Sequence, residues 1–221
     1  MDIENYLKLK FPRLELVPSI YYQWEIGIHF SLGGDIYQLT ETGELNLERF
    51  KLVYKQITTL FDELFQNDDE LLLVTNLYKD KTVAARKLKV YQSFLKCKKD
   101  LYRIKVKTYP YPFESDDAEQ LEMQQFSVPC KREDLIISGL LKAASHEDFP
   151  LTPKFGKTLN SYPDVFIVNM TKDIIFFIYD DRGCEIIANQ RDLLSPLYEK
   201  YYDWVEEVDR KRIEKGLGVK G

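Results

Sequence analysis

The sequence predicts an α+β fold, a mainly antiparallel sheet packed against amphipathic helices, on three observations. Three apolar runs, "DVFIVNM" (164–170), "DIIFFIY" (173–179) and "GCEIIA" (183–188), are separated by short polar breaks and read as a three-stranded antiparallel meander. "NLERFKLVYKQITTLFDELF" (46–65) carries one broad apolar stripe from Leu47 through Phe50, Val53, Ile57 and Leu60 to Leu64, the pattern of a helix with one buried face. Strand patterns outnumber the intervening helices and come in hairpins, which argues against a doubly wound parallel sheet.

The other elements follow in order. "DIENYLKLKF" (2–11) is a short helix stopped by Pro12. In "YYQWEIGIHFSLG" (21–33), Tyr22, Trp24, Ile26, Ile28 and Phe30 alternate with polar residues or Gly27, so a half-buried strand is expected. "LGGD" (32–35) is a turn signal, with "DIYQLT" (35–40) as the returning strand of a hairpin. Asn46 caps the helix that follows, and "LLLVTNLY" (71–78) is a buried strand. Residues 80–97 read as helix, 100–111 as a strand with Arg103, Lys105 and Lys107 on its outer face, 113–122 as an acidic loop, 123–129 as a strand and 131–147 as helix. Residues 148–163, with three Pro and a Gly, form the longest loop. The final helix spans 189–215, capped by Asn189 and kinked or broken near Pro196. The whole chain, 1–221, is expected to be one α+β domain, with 163–215 as its most distinctive region.

Composition narrows the chemistry. The 221 residues are 44% hydrophobic, enough for a full core. Three scattered cysteines (Cys97, Cys130, Cys184) and two histidines (His29, His146) argue against a structural zinc site and against a disulfide framework. The N-terminus has acids where a signal peptide has lysines, and the apolar runs are too short to span a bilayer, so a cytoplasmic protein is expected. Residues 79–107 hold eleven Lys/Arg and two Asp, a local charge of +9 that leaves −14 on the remainder of a chain whose net charge is −5.

"IYDDRGCEII" (178–187) places Asp180, Asp181, Arg182 and Glu185 between apolar runs. Converging carboxylates would suit a divalent metal or acid/base chemistry. Neighbouring strand residues point to opposite faces, however, so the stretch reads first as a hairpin turn, with Gly183 free to take a positive φ. Pairs such as Arg182 with Glu206, or Asp181 with Arg210, would pin the last helix to the meander. "PDVFIVN" resembles the first carboxylate strand of one nuclease type, but Glu185 is followed by Ile-Ile and not by x-Lys, so the second half of that site is missing. Neither histidine lies in a recognised nucleophile motif. His146 reads as a helix-end residue, Cys184 as a buried inert thiol, and Cys97 as a thiol among lysines. "LGGD" lacks the strand–helix context of a phosphate loop.

The spelling of this region carries a resemblance. Tyr179, Asp180, Asp181, Arg182 and Gly183, the pair Ile186–Ile187, the Leu-Tyr-x-x-Tyr of 197–201, Trp204 and the Asp-Arg of 209–210 resemble a bacterial family catalogued as domain of unknown function 3885. The resemblance covers about fifty residues at the C-terminal end, with "DVFIVN" (164–169) upstream. It implies a shared fold in a small intracellular protein of a kind common in Firmicutes. It brings no assigned activity and no catalytic residue.

Three functional readings follow. The leading one is a non-enzymatic, immunity-like protein-binding module that needs no cofactor, its acidic stretch meeting a basic partner through Asp116, Asp117 and Glu119. The second is a metal-dependent enzyme around Asp180, Asp181 and Glu185. The third is a nucleic-acid binder using Lys87, Lys89, Arg103, Lys105 and Lys107.

Overall fold

The computed structural model describes residues 2–83, 89–156 and 162–219. Its centre is one seven-stranded antiparallel sheet in the order β1-β7-β6-β5-β2-β4-β3. The strands are β1 (Gly27–Ser31), β2 (Glu70–Asp80), β3 (Lys105–Pro110), β4 (Leu121–Lys131), β5 (Asp164–Asn169), β6 (Ile174–Ile178) and β7 (Gly183–Ala188). The expected meander is β5-β6-β7.

Central strands are buried on both faces, which is why their sequences run apolar without alternation. On β6, Ile174, Phe176 and Ile178 enter the larger core, while Ile175 and Phe177 enter the smaller one. β2 divides in the same way: Leu71 and Leu73 face one core, Leu72 and Val74 the other. The larger core is covered by α3 (Leu47–Leu64), α4 (Lys89–Phe94), α5 (Ile137–Ala144), α6 (Arg191–Lys200) and α7 (Glu207–Leu217). The smaller is covered by α1 (Ile3–Lys10), the following strap and α2 (Ile20–Gln23). Asn46 does cap α3, its Oδ1 accepting from the Glu48 amide at 3.2 Å.

Local signals misled where a distant partner was the better one. The 21–40 hairpin does not form. Residues 20–23 are helical, the strand is confined to Gly27–Ser31, and it pairs with β7 from Gly27↔Ile187 to Ser31↔Gly183. Gly33 and Gly34 both have positive φ and turn the chain away toward α3 instead of back along β1. The expected 80–97 helix is not continuous: Asp80 ends β2, Lys81–Val83 turn, residues 84–88 lie outside the described part, and the helix runs from Lys89 to Phe94. Residues 98–103 form a 3-10 turn before β3. The 131–147 helix shrinks to α5, because Ile136 donates its amide to the Phe94 carbonyl and so leaves the helical path.

The final helix breaks after Lys200, not at Pro196, which lies inside α6. A 3-10 turn at Tyr202–Trp204 follows, Val205 is buried, and α7 starts at Glu207. Asn189 does not cap α6; its Nδ2 donates to the Lys10 carbonyl at 2.7 Å and ties the helix approach to the end of α1. Gly183 is not a positive-φ residue. It is the first residue of β7, and a Cβ there would lie 2.0 Å from the Tyr179 hydroxyl oxygen and 2.8 Å from the Phe30 carbonyl oxygen.

Gly183→Ala is therefore expected to cost about 2 kcal/mol or more by overpacking. Gly43→Ala, at φ +80° with open space around it, should cost only the backbone strain of about 1 kcal/mol. Urea unfolding of both variants checks the order; a Gly183→Ala midpoint equal to or above that of Gly43→Ala would contradict it.

Candidate functional site

The polar residues of the 179–185 stretch fall into three separate arrangements. The first is the turn. The Asp180 carboxylate accepts from the Arg182 backbone amide at 2.7 Å and from Arg182 Nε at 2.8 Å, closing the loop on itself. Arg182 does not reach Glu206, which accepts instead from the Ser31 hydroxyl at 2.9 Å.

The second is a buried ion pair. Asp181 is fully buried and accepts from Arg49 Nε on α3 at 2.7 Å, with Gln38 Nε2 bridging both carboxylate oxygens at 3.0 and 3.1 Å. The rest of the Arg49 fork donates to the carbonyls of Ile36 (2.7 Å), Asp181 (3.1 Å) and Leu32 (3.3 Å). The guanidinium lies where a Gly33 side chain would be, 2.3 Å from an added Cβ. Asp181 thus clamps α3 and not the last helix; Arg210 donates to the Val205 carbonyl and stacks on Tyr202. An open hollow of about 400 Å³ adjoins this pair, lined by residues that include Gln38, Arg49 and Arg182.

The third is a chain through His29. Its Nδ1 lies 2.7 Å from the Asp209 carboxylate on α7, and its Nε2 lies 2.9 Å from the Tyr179 hydroxyl. A carboxylate can only accept, so Nδ1 carries a proton. Burial raises the Tyr179 pKa above the ordinary phenol value, as does the nearby Asp180 carboxylate. Glu185, cross-strand from His29, is buried on the same face and accepts from the Tyr21 amide at 3.3 Å; desolvation raises its pKa.

Asp180, Asp181 and Glu185 therefore do not converge. Asp181 turns toward α3, Glu185 toward α2 across the sheet, and Asp180 binds its own loop. Among the described residues no group of three or more His, Cys, Asp or Glu side chains is placed to hold a metal ion. His146 is no helix-end cation either. It is buried, its Nδ1 donates to the Pro153 carbonyl at 2.8 Å and its Nε2 accepts from the Tyr54 hydroxyl at 2.5 Å, and desolvation lowers its pKa. Cys184 is buried and its thiol pKa is pushed up by desolvation; Cys97 is exposed.

The charged surfaces also differ from a simple stripe. Lys87 lies outside the described residues. Lys89 is exposed on α4. Arg103 pairs with Asp100 in the 3-10 turn at 3.0 Å. Lys105 and Lys107 point to the α1 face, where Lys107 binds Glu4 and both lysines flank Asp2. Asp116, Asp117 and Glu119 are exposed on the β3–β4 connection. Among the described residues, Lys79–Glu122 at 2.6 Å is the ion pair joining the basic and acidic segments, because β2 and β4 set those two residues opposite each other.

The C-terminal spelling now has a physical reading. Tyr179 reaches His29, Asp180 closes the turn, Asp181 holds Arg49, and Gly183 leaves room for the Tyr179 hydroxyl. Trp204 stacks on Tyr201 with ring centres 4.5 Å apart. The residues outside the motif that answer it, His29 and Arg49, stand far from it in sequence. Family comparison agrees with that spread: the profile of the domain of unknown function DUF3885 matches residues 3–209.

The chain belongs to this family. The match extends well upstream of the C-terminal region from which the resemblance was read. A bacterial relative, the uncharacterized protein YnaE of Bacillus subtilis (strain 168), is 60% identical over 209 residues, covering 94% of this chain and 98% of its own. No solved structure matches significantly. No helix among the described residues is long and apolar enough to cross a membrane.

Arg49 carries no recognisable motif in the sequence. A signal was present: Arg49 and Gln56, seven residues apart, sit on the buried face of α3 among Phe50, Val53, Ile57 and Leu60. Two polar residues on an apolar stripe imply polar partners in the core. Gln56 finds its partner in the Gly33 amide at 2.7 Å.

Arg49→Ala strands the buried Asp181 carboxylate and is expected to cost about 3–5 kcal/mol. Arg49→Lys keeps the charge but not the fork and should recover only part of that loss. Equilibrium urea unfolding measures both; losses under about 1 kcal/mol for each would show that the pair does not organise the fold.

A pH effect follows from Glu147. Burial, reinforced by Asp164, Asp148 and Asp180, raises its carboxyl pKa from 4.5 to about 7. The folded state then holds this proton more tightly than the unfolded chain. The resulting stabilisation is full below about pH 4.5 and is lost as the pH rises through about 7. Relative to Glu147→Gln, the wild type should lose on the order of 1–2 kcal/mol between pH 5 and pH 8. Parallel stability–pH curves for the two proteins would refute this.

Proposed function

We propose that this protein is a cytoplasmic, non-enzymatic binding module of the immunity-protein kind, which covers a cationic site on another protein. The observation that carries the reading is the β3–β4 connection. Asp116, Asp117 and Glu119 project into solvent there and form no ion pair among the described residues. Half-buried Tyr111 and Phe113 pack edge-on beside them, with ring centres 5.4 Å apart. Exposed carboxylates around aromatic anchors suit recognition of a basic surface. The groups best suited to chemistry support the same reading from the other side: His29, His146, Asp180, Asp181 and Glu185 are all engaged in hydrogen bonds within the fold.

The test compares co-purification from the native cytoplasm by the wild type, by Asp116→Lys/Asp117→Lys/Glu119→Lys, and by the control Glu41→Lys/Glu44→Lys. A basic protein retained by the wild type and the control, released by salt and lost by the triple variant is the expected result. Equal recovery by the triple variant, or equal loss by the control, would overturn the assignment.

A further inference from the structure

The two edges of the sheet are finished differently. At one edge, α7 and its flank lie against β1 and the chain leading into it: Asp209 binds His29 of β1, Glu206 binds Ser31, Arg212 donates to the carbonyls of Tyr21 and Tyr22 at 3.1 Å, and Gly216 sits so close that a Cβ would lie 2.2 Å from the Glu25 carbonyl oxygen. At the other edge, among the described residues β3 pairs only with β4, and no described strand lies beside its outer backbone groups. An open edge of this kind is a template for one more strand.

The side chains along β3 specify what that strand should carry. Opposite faces of the strand differ in kind. On the helix side, Val106 is 51% exposed and belongs to neither core. It opens into a groove of about 890 Å³ between the 3-10 turn and the β3–β4 pair, where Leu101, Ile104, Phe126 and the 93%-exposed Tyr102 supply an apolar lining and Lys98 and Lys99 stand at the rim. On the α1 side, Lys105 is exposed and Lys107 is shared with Glu4. Lys99 and Lys105 make no ion pair among the described residues, whereas Arg103 is already paired.

A second copy of β3 is a poor occupant, because antiparallel self-pairing sets lysines near lysines, the usual device by which exposed edges resist self-association. An acidic strand turns the same lysines from a barrier into an attraction.

We infer that the β3 edge and its groove form a docking site for an extended segment of a partner protein in which acidic and apolar residues alternate. The apolar residues lie over Val106 and the groove, and the alternating acids meet Lys105 on the other face. The segment is short, because Pro110 has no amide to donate and ends the pairing edge. This surface is opposite in charge to the acidic connection and is independent of the binding role assigned there.

The probe is a blocked peptide of about nine residues alternating glutamate with valine and tyrosine, beside its lysine-for-glutamate counterpart. Fluorescence anisotropy gives affinity, and amide hydrogen exchange locates the contact. The glutamate peptide should bind in a salt-sensitive manner and slow exchange within 105–109. Val106→Asp, and separately Lys105→Glu, should weaken it about tenfold or more while circular dichroism stays unchanged. The triple variant of the acidic connection should bind the peptide at least as well as the wild type, which separates the two surfaces. Equal binding of the lysine peptide, unchanged affinity in both groove variants, or protection elsewhere than β3 would overturn the inference. So would concentration-dependent dimerisation that protects 105–109 without peptide, since a second copy would then be the occupant.

Discussion

The fold is organised around one buried charge pair. Arg49 and Asp181 lie 132 residues apart in the chain, yet their contact joins three elements that local structure does not connect: α3, the 32–38 loop and the β6–β7 turn. Burying a guanidinium and a carboxylate is costly, and the cost is met here by saturation. The carboxylate accepts from Arg49 and Gln38, and the arginine fork donates to three backbone carbonyls as well. A pair of this kind adds little net stability over an apolar pair but tolerates few alternative arrangements. If α3 shifted by a turn along the sheet, the charges would be stranded. The pair therefore sets the position of the helix, and Gly33 is glycine because the guanidinium crosses it.

The His29 chain does similar work on the other side of the sheet. Its two hydrogen bonds reach α7 in one direction and the β6–β7 turn in the other. The turn is thus held from both faces, by Asp181 toward α3 and by Tyr179 toward His29 and α7. A stretch that looks like a catalytic cluster on paper is the point where the helix layer, β1 and the last helix are fastened to the meander. Asp181 and Tyr179 do this fastening, while Asp180 closes the turn on itself.

What the sequence made legible follows from the range of the interactions. The meander was readable because strands buried on both faces must be apolar throughout, and α3 because its stripe repeats over eighteen residues. The false hairpin at 21–40 and the overlong helices at 131–147 and 189–215 failed for one reason. In each, a short-range signal competed with a distant partner: β7 for β1, the Phe94 carbonyl for Ile136, and the core for Val205. The turn at 180–183 was legible as a turn, but its partners were not, since nothing near residue 181 in the chain points to residue 49. Polar residues on the stripe of α3 and a lone histidine on β1 were the available clues, and each needs a second, distant residue to become an interaction.

The contrast between the sheet edges is a further consequence of this arrangement. Tying the turn through His29 to Asp209 brings α7 across β1 and closes that edge, and the signature residues cluster there. β3 lies at the far end of the strand order from β1, and among the described residues the 3-10 turn and α4 reach it from the helix side and leave Val106 half open. Charge is then the main guard left to that edge, and charge discriminates by sign where a covering helix excludes every strand alike. The strongest structural constraints and the most available surface thus sit at opposite ends of one sheet. Substitutions in the signature should act mainly through stability, whereas those at exposed positions of β3 such as Lys105 and Val106 should disturb the fold little.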